Sequence, residues 1–344
     1  MLRERPPVTD ARRVRFTAPR TVDVESGPVP RPADDEVLVE ATVSAVSPGT
    51  ELLVYRDDVP AGVPLDTTID GLTEPLSYPL SYGYAAVGVV TAVGDAVDAT
   101  WADRRVFAFR PHASHFCATP DSLVVLPDGV SDEDAAMLAT AETATGFAMD
   151  GRPRVGERVV VLGQGVVGLL TTALLARFPL SELVTVDHHA SRRARSRALG
   201  AHEAFAPEAV PDGVADRFPG DGRADLTFEL SGNPEALSDA ISVTGDDGRL
   251  VVGSWYGSKP VSLDLGGRFH RSRMRLRSSQ VSEIDADHAG RWDKARRLDY
   301  VLDAIEDLEP SSLVTHRFPV EDAAEAYRLL DRDPADTVQV LFTY

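Results

Sequence analysis

Between residues 163 and 187 the chain carries glycines and an acid at spacings that suit a dinucleotide. Gly163, Gly165 and Gly168 stand in the run Gly163-Gln164-Gly165-Val166-Val167-Gly168, and Asp187 closes a later apolar run. Gly163 can take a sharp turn, Gly165 has no side chain to block a pyrophosphate, and Gly168 lets helix and strand pack closely. A helix entered at Val166 and Val167 offers free N–H groups and a positive dipole end to phosphate. Asp187 can accept both hydroxyls of an adenosine ribose and repels a 2′-phosphate, so NAD(H) is expected over NADP(H). Two roles stay open for Arg192: lying under the adenine or, with Arg193, binding a phosphate should Asp187 turn away.

Those residues need a strand, a tight turn, a helix and a second strand. The β-branched run 159–161, the helically spaced apolar residues 169–175 and the apolar run 183–186 supply them. The same alternation continues with a helix over 192–199, a strand over 225–229, a helix over 235–242, and strands over 248–253 and 274–279. Alternating strands and helices imply a doubly wound parallel sheet. Ser231, Gly232, Gly253 and Ser254 end later strands, at the edge where ligands lie in such sheets.

The first 130 residues read instead as short strands and glycine turns, which suits a β-barrel-like domain. Residues 47–82 read as long loops with short helical turns, and 132–149 as one helix. Helices over 292–305 and 323–330 and strands over 314–320 and 338–342 close the chain. The final strand can return to the first domain. The expected domains are therefore 1–130 with 306–344, and 131–305.

Composition narrows the class. The chain has 344 residues, 43% hydrophobic and 26% charged, which suits a folded two-domain protein. Its net charge of −19 disfavours nucleic acid and anionic membrane as partners. No run of about 18 apolar residues is present to span a bilayer. The N-terminal stretch is charged and has no apolar signal core, so a cytoplasmic location is expected. One cysteine, Cys117, excludes an internal disulfide and a cysteine-rich metal site. Nearly all basic residues are arginine, and this acid-rich, lysine-poor balance suits a halophilic, high-salt cytoplasm.

Three blocks carry a family resemblance: Ser47-Pro48-Gly49-Thr50-Glu51; Gly83-Tyr84-Ala85-Ala86-Val87-Gly88-Val89-Val90 with Val93-Gly94; and the turn 163–168 with Asp187. With them the chain resembles the medium-chain dehydrogenase/reductase superfamily of zinc alcohol dehydrogenases and quinone reductases, and more loosely its bacteriochlorophyllide dehydrogenase-like members. The resemblance implies an α/β protein: a GroES-like β-barrel catalytic domain plus a Rossmann nucleotide-binding domain. It also implies a homodimer paired through the sheet edge at 274–279, and Thr143 near the nicotinamide.

The departures bear on mechanism. Pro48 stands where zinc members place a cysteine ligand, Tyr84 where they place a histidine, and Ala139 or Ala141 where they place the third ligand. Catalytic zinc needs three protein ligands, so no zinc is expected. Thr50 matches the hydroxyl that relays a proton in the zinc enzymes, Tyr84 can donate to an oxyanion, and His112 is a further proton donor. Glu51 is expected to pair with an arginine. The expected reaction is hydride transfer between NAD(H) and an alcohol or carbonyl small molecule. Reduction of an activated double bond and a non-catalytic NAD(H)-binding module are the alternatives.

Overall fold

The computed structural model describes residues 10–69, 71–218 and 220–344. The expectation about an N-terminal signal core falls largely on residues 1–9, outside the described residues. The chain divides into two compact units, Met1–Ala139 with Val314–Tyr344, and Thr140–Leu313.

In the first unit β1 (Asp10–Ala18) and β2 (Thr21–Pro28) form an antiparallel pair. β3 (Val37–Ala45) pairs antiparallel with β4 (Ala86–Val93). β4 continues to β5 (Arg105–Ala108), and β6 (His115–Ala118) also pairs with β3. β7 (Leu123–Val125) closes that side on β5. Val37, Val39, Ala86, Val90, Val106 and Phe116 form the core between these strands. The expected loop segment after β3 contains a nine-residue helix, α1 (Pro48–Arg56). Proline at its first position and buried Leu53, Val54 and Tyr55 support it, which the glycine- and proline-rich composition of the segment concealed.

The helix expected over 132–149 is two: α2 (Asp132–Ala136) and α3 (Leu138–Gly151), broken at Met137. Ser131 caps α2, its hydroxyl accepting from the Asp134 N–H. The unit boundary therefore falls after Ala139, not at residue 131. The cause is that Asp132 is tied to the barrel strands: its carboxylate accepts from Thr42 Oγ1 at 2.8 Å and from Arg105 Nε at 3.0 Å.

The second unit is a six-stranded parallel sheet. It is built from β8 (Arg158–Leu162), β9 (Glu182–Val186), β10 (Glu203–Phe205), β11 (Ala224–Glu229), β12 (Thr244–Val252) and β13 (Arg275–Ser278), in the order β10-β9-β8-β11-β12-β13. The connecting helices are α4 (Val166–Leu175), α5 (Ala190–Ala198), α6 (Asp212–Arg217) and α7 (Ala236–Val243). Val159 to Leu162 are all buried, as a central parallel strand covered on both faces requires. α8 (Lys294–Leu308) packs on α4, which keeps residues 306–313 with this unit. The last segment, β14 (Val314–Pro319), α9 (Ala323–Arg332) and β15 (Gln339–Thr343), returns to the first unit, where β15 lies antiparallel beside β3. No helix among the described residues is long and apolar enough to cross a membrane.

Candidate functional site

The glycine turn is fixed by steric contacts. Gly163 has φ +89°, and a Cβ there would lie 2.5 Å from the Ser231 backbone. A Cβ on Gly168 would lie 2.0 Å from the Gly163 carbonyl oxygen, so β8 and α4 meet at a distance only glycine permits. Gly165 differs: it is the residue before α4, and a Cβ there meets nothing within 4 Å. The turn is thus tight on its protein side and open at the helix start, the shape a pyrophosphate needs. Val166 is buried and Val167 is half-buried in the first turn of α4.

Asp187 follows the last residue of β9 and is 8% exposed. Its Oδ2 accepts from the Gln164 N–H at 2.7 Å and its Oδ1 from the His189 N–H at 2.8 Å. Each carboxylate oxygen keeps further acceptor capacity. The acid is therefore turned toward the glycine turn and held there. Arg193 binds the Asp187 and His188 carbonyls, both at 2.8 Å, rather than presenting itself to a phosphate. The Arg192 guanidinium lies near Asp187, where burial lowers its pKa and the carboxylate partly restores it.

At the end of β11 stands a buried acid that the sequence reading passed over as the last letter of an apolar strand. Glu229 accepts from the Ser231 N–H at 2.8 Å, from the Ser231 hydroxyl, and from Tyr256 Oη at 2.5 Å. The adjacent Gly232 N–H donates to Ser254 Oγ at 2.9 Å. Ser231 and Gly232 thus form an ordered loop against Gly163. Gly253, also expected at the cofactor, is closely packed. A Cβ there would lie 2.4 Å from the Phe147 ring, so packing accounts for this glycine. Thr143 is half-buried on α3.

In the first unit Tyr84, Ser47 and Thr50 come together. Tyr84 Oη donates to Ser47 Oγ at 2.6 Å. Burial pushes the tyrosine pKa up to about 12, while hydrogen bonding to Ser47 and Thr50 draws it down. Ser47 is the residue before α1, and Thr50 lies in its first turn; Thr50 does not cap the helix.

Glu51, one residue on, is fully buried and makes no arginine pair among the described residues. Its Oε1 accepts from the Ser47 N–H at 2.7 Å, and its Oε2 meets His112 Nε2 at 3.1 Å and the Tyr327 hydroxyl. His112 is also fully buried, and its Nδ1 lies 2.7 Å from Ser44 Oγ, which in turn lies 2.8 Å from Tyr344 Oη. Both ring nitrogens are engaged inside the protein, so His112 is not placed to give a proton to a ligand directly. It supports the neighbouring turn instead. Gly83, at φ +104°, packs so closely that a Cβ would lie 2.5 Å from His112 Nε2. The buried pair thereby braces both α1, which carries Thr50, and the turn that carries Tyr84. Tyr327 and Tyr344 entered no sequence motif because they come from the far end of the chain.

The zinc-binding dehydrogenase family model matches residues 166–298. Sorbitol dehydrogenase of Rattus norvegicus is 26% identical over 228 residues, 65% of this chain and 59% of its own length. The chain thus spans under two thirds of that relative. Two solved structures share the fold. A short chain alcohol dehydrogenase from Escherichia coli CFT073 complexed with NADH has TM-score 0.78 and 19% identity, covering 98% of this chain and 100% of that one. A putative zinc-binding dehydrogenase from Sinorhizobium meliloti 1021 bound to NADP has TM-score 0.77 and 16% identity, covering 98% and 100%. These matches support a place for the chain in the medium-chain dehydrogenase/reductase superfamily, with the family model covering part of the second unit.

Pro48, Tyr84, Ala139 and Ala141, expected where zinc members place their ligands, include no cysteine, histidine or carboxylate. Pro48 opens α1, Tyr84 bonds to Ser47, and Ala139 and Ala141 are buried apolar side chains. Glu142, the nearest carboxylate in sequence, receives Arg297 Nε at 3.0 Å and Nη2 at 2.8 Å, both side chains being buried. Burial raises the Glu142 pKa and the guanidinium pulls it back. Among the described residues no group of three His, Cys, Asp or Glu side chains has metal-binding geometry.

Proposed function

We propose that this medium-chain dehydrogenase/reductase is an NAD(H)-dependent oxidoreductase of an alcohol or carbonyl small molecule that works without catalytic zinc. The observation that carries the reading is Asp187, bonded to the Gln164 and His189 N–H groups beside a turn whose Gly165 faces open space. The names of the relatives, polyol and alcohol dehydrogenases, support the reaction class.

In this reading the start of α4 holds the pyrophosphate, Asp187 accepts the ribose hydroxyls, and the Ser231–Gly232 loop borders the site. A bound nicotinamide supplies the hydride acceptor or donor. The chain supplies the polar groups for the substrate oxygen. Tyr84 Oη–H donates a hydrogen bond to it, a task that zinc performs in metal-dependent relatives. Thr50 Oγ1 holds a second hydrogen bond at the same oxygen. Glu51 and His112 act as positioning residues.

Two experiments test this. Zinc analysis together with turnover after exhaustive chelation should find substoichiometric zinc and retained activity with NAD+. One zinc per chain whose removal abolishes turnover overturns zinc independence. Tyr84→Phe should lower kcat by about 10- to 100-fold with little change in KM, the worth of one hydrogen bond to a developing oxyanion. The loss should be flat from pH 6 to 9, because a tyrosine at about 12 stays protonated across that range. An unchanged kcat removes Tyr84 from the mechanism.

A further inference from the structure

The first unit contains a cavity of about 540 Å³ apart from Thr50 and Tyr84, neither of which lines it. Three arginines line it, Arg13, Arg15 and Arg110, and among its described lining residues Glu74 is the only carboxylate. The arrangement follows from β1. Strand alternation buries Val14 and Phe16 on one face and leaves Arg13 and Arg15 side by side on the other. The opposite walls are tied to the same strand by backbone bonds. The Val14 N–H donates to the His112 carbonyl at 3.0 Å, and Phe16 and Leu80 exchange bonds of 2.9 and 3.0 Å. The cavity is therefore framed by paired backbone.

Its charge is only partly offset, by Glu74 in the lining and by Glu25 beside Arg15. Arg13 and Arg110 make no ion pair among the described residues. Arg15 meets Glu25 at 3.6 Å from Nε and donates from its terminal nitrogens to Ser81 Oγ at 3.4 Å and the Pro79 carbonyl at 3.3 Å, while its buried Nε–H has no hydrogen-bond partner among the described residues. Burial lowers the His115 pKa, so this wall histidine adds no cation at neutral pH. Three like charges repel one another in a shared cavity, and they stand together on a chain of net charge −19. A guanidinium presents a planar fork of donors that matches carboxylate or phosphate oxygens. Ser77 and Ser81 add hydroxyls, and Leu80 and Phe116 add apolar wall.

We propose that this cavity is a binding site for a small organic anion, held through its carboxylate or phosphate by Arg13, Arg15 and Arg110. The site stands independently of the dehydrogenase reading, and its test uses neither NAD(H) nor turnover.

Cys117 lines the cavity and is the only cysteine of the chain, so its alkylation reports on this place alone. The thiol is half-buried, and burial raises its pKa, so labelling is followed at pH 8.5 to 9. The probes are glucose 6-phosphate, citrate, inorganic phosphate and uncharged glucose, at low ionic strength. At least one of the two organic anions should slow alkylation five-fold or more at millimolar concentration, while glucose leaves it unchanged. The preferred anion distinguishes phosphate from carboxylate recognition. Protection should fade as salt is raised. The double variant Arg13→Met/Arg110→Met should need at least ten-fold more anion for the same protection. It should keep the parent Tm, since neither side chain is paired inside the protein. Protection by inorganic phosphate alone marks an adventitious ion only and overturns the proposal. Equal protection by glucose, no protection by either organic anion, or an unaltered double variant with parental Tm also overturns it.

Discussion

Asp187→Ala should weaken NAD(H) by about 100-fold, while NADP(H) loses far less. Two ribose hydroxyls donate to one carboxylate in the proposed complex, and each such charge-assisted bond is worth about 1.5–3 kcal/mol before solvent compensation. Removing the carboxylate also removes its repulsion of a 2′-phosphate, which shifts the balance further toward NADP(H). The substitution has a second, cofactor-blind effect, because it releases the Gln164 and His189 N–H groups that Asp187 now holds. That part should appear equally in both cofactors, so the ratio of the two dissociation constants is the quantity to measure. Asp187→Asn keeps an acceptor and should lose less. If NAD(H) and NADP(H) weaken by the same factor, Asp187 orders the turn and does not read the ribose.

Glu51→Ala should destabilise the protein by about 3–5 kcal/mol, the range for stripping one partner from a buried polar or ionic cluster. The reason is the number of donors left behind. The Ser47 N–H, the Tyr327 hydroxyl and His112 Nε2 all converge on this carboxylate, and Glu51 and His112 are both fully buried. Water cannot replace the lost oxygens unless the cavity left by the side chain fills. Glu51→Gln keeps one acceptor oxygen and should cost less. Denaturant unfolding with the same m-value checks both variants. A Glu51→Ala protein within about 1 kcal/mol of the parent would show that the cluster holds nothing together. Loss of activity in Glu51→Gln at retained stability would point to the bracing of Thr50 and Tyr84.

Much of the nucleotide unit was legible because its signals are local. The run 159–168 specifies strand, turn and helix within a few residues, and each glycine has a steric reason that the structure supplies atom by atom. The last strand, expected over 274–279, is found as β13 at the edge of the second unit's sheet. The helix at 48–56 was not legible, since proline and glycine at its start resemble loop composition. The break at Met137 was not either, because alanine-rich sequence on both sides has the same helical preference.

The first unit was only partly legible. Tyr84 and Thr50 could be named from their blocks, but their meeting at Ser47 joins positions 37 residues apart in the chain. Glu51 shows the limit most plainly. An exposed acid in an arginine-rich protein pairs with arginine by default, and only burial directs it to a histidine and a tyrosine. Its partners His112 and Tyr327 lie 61 and 276 residues away.

By itself the sequence determined the alternating strands and helices of the second unit and its glycine turn, because each is written in residue types at short spacing. Tertiary structure alone decided which side chains share a space. It turned Asp187 into the glycine turn, enclosed Glu51 with His112, gave Gly253 to Phe147, and gathered Arg13, Arg15 and Arg110 around one cavity. Burial and hydrogen-bond partners arise from contacts between distant segments, and no local periodicity encodes them.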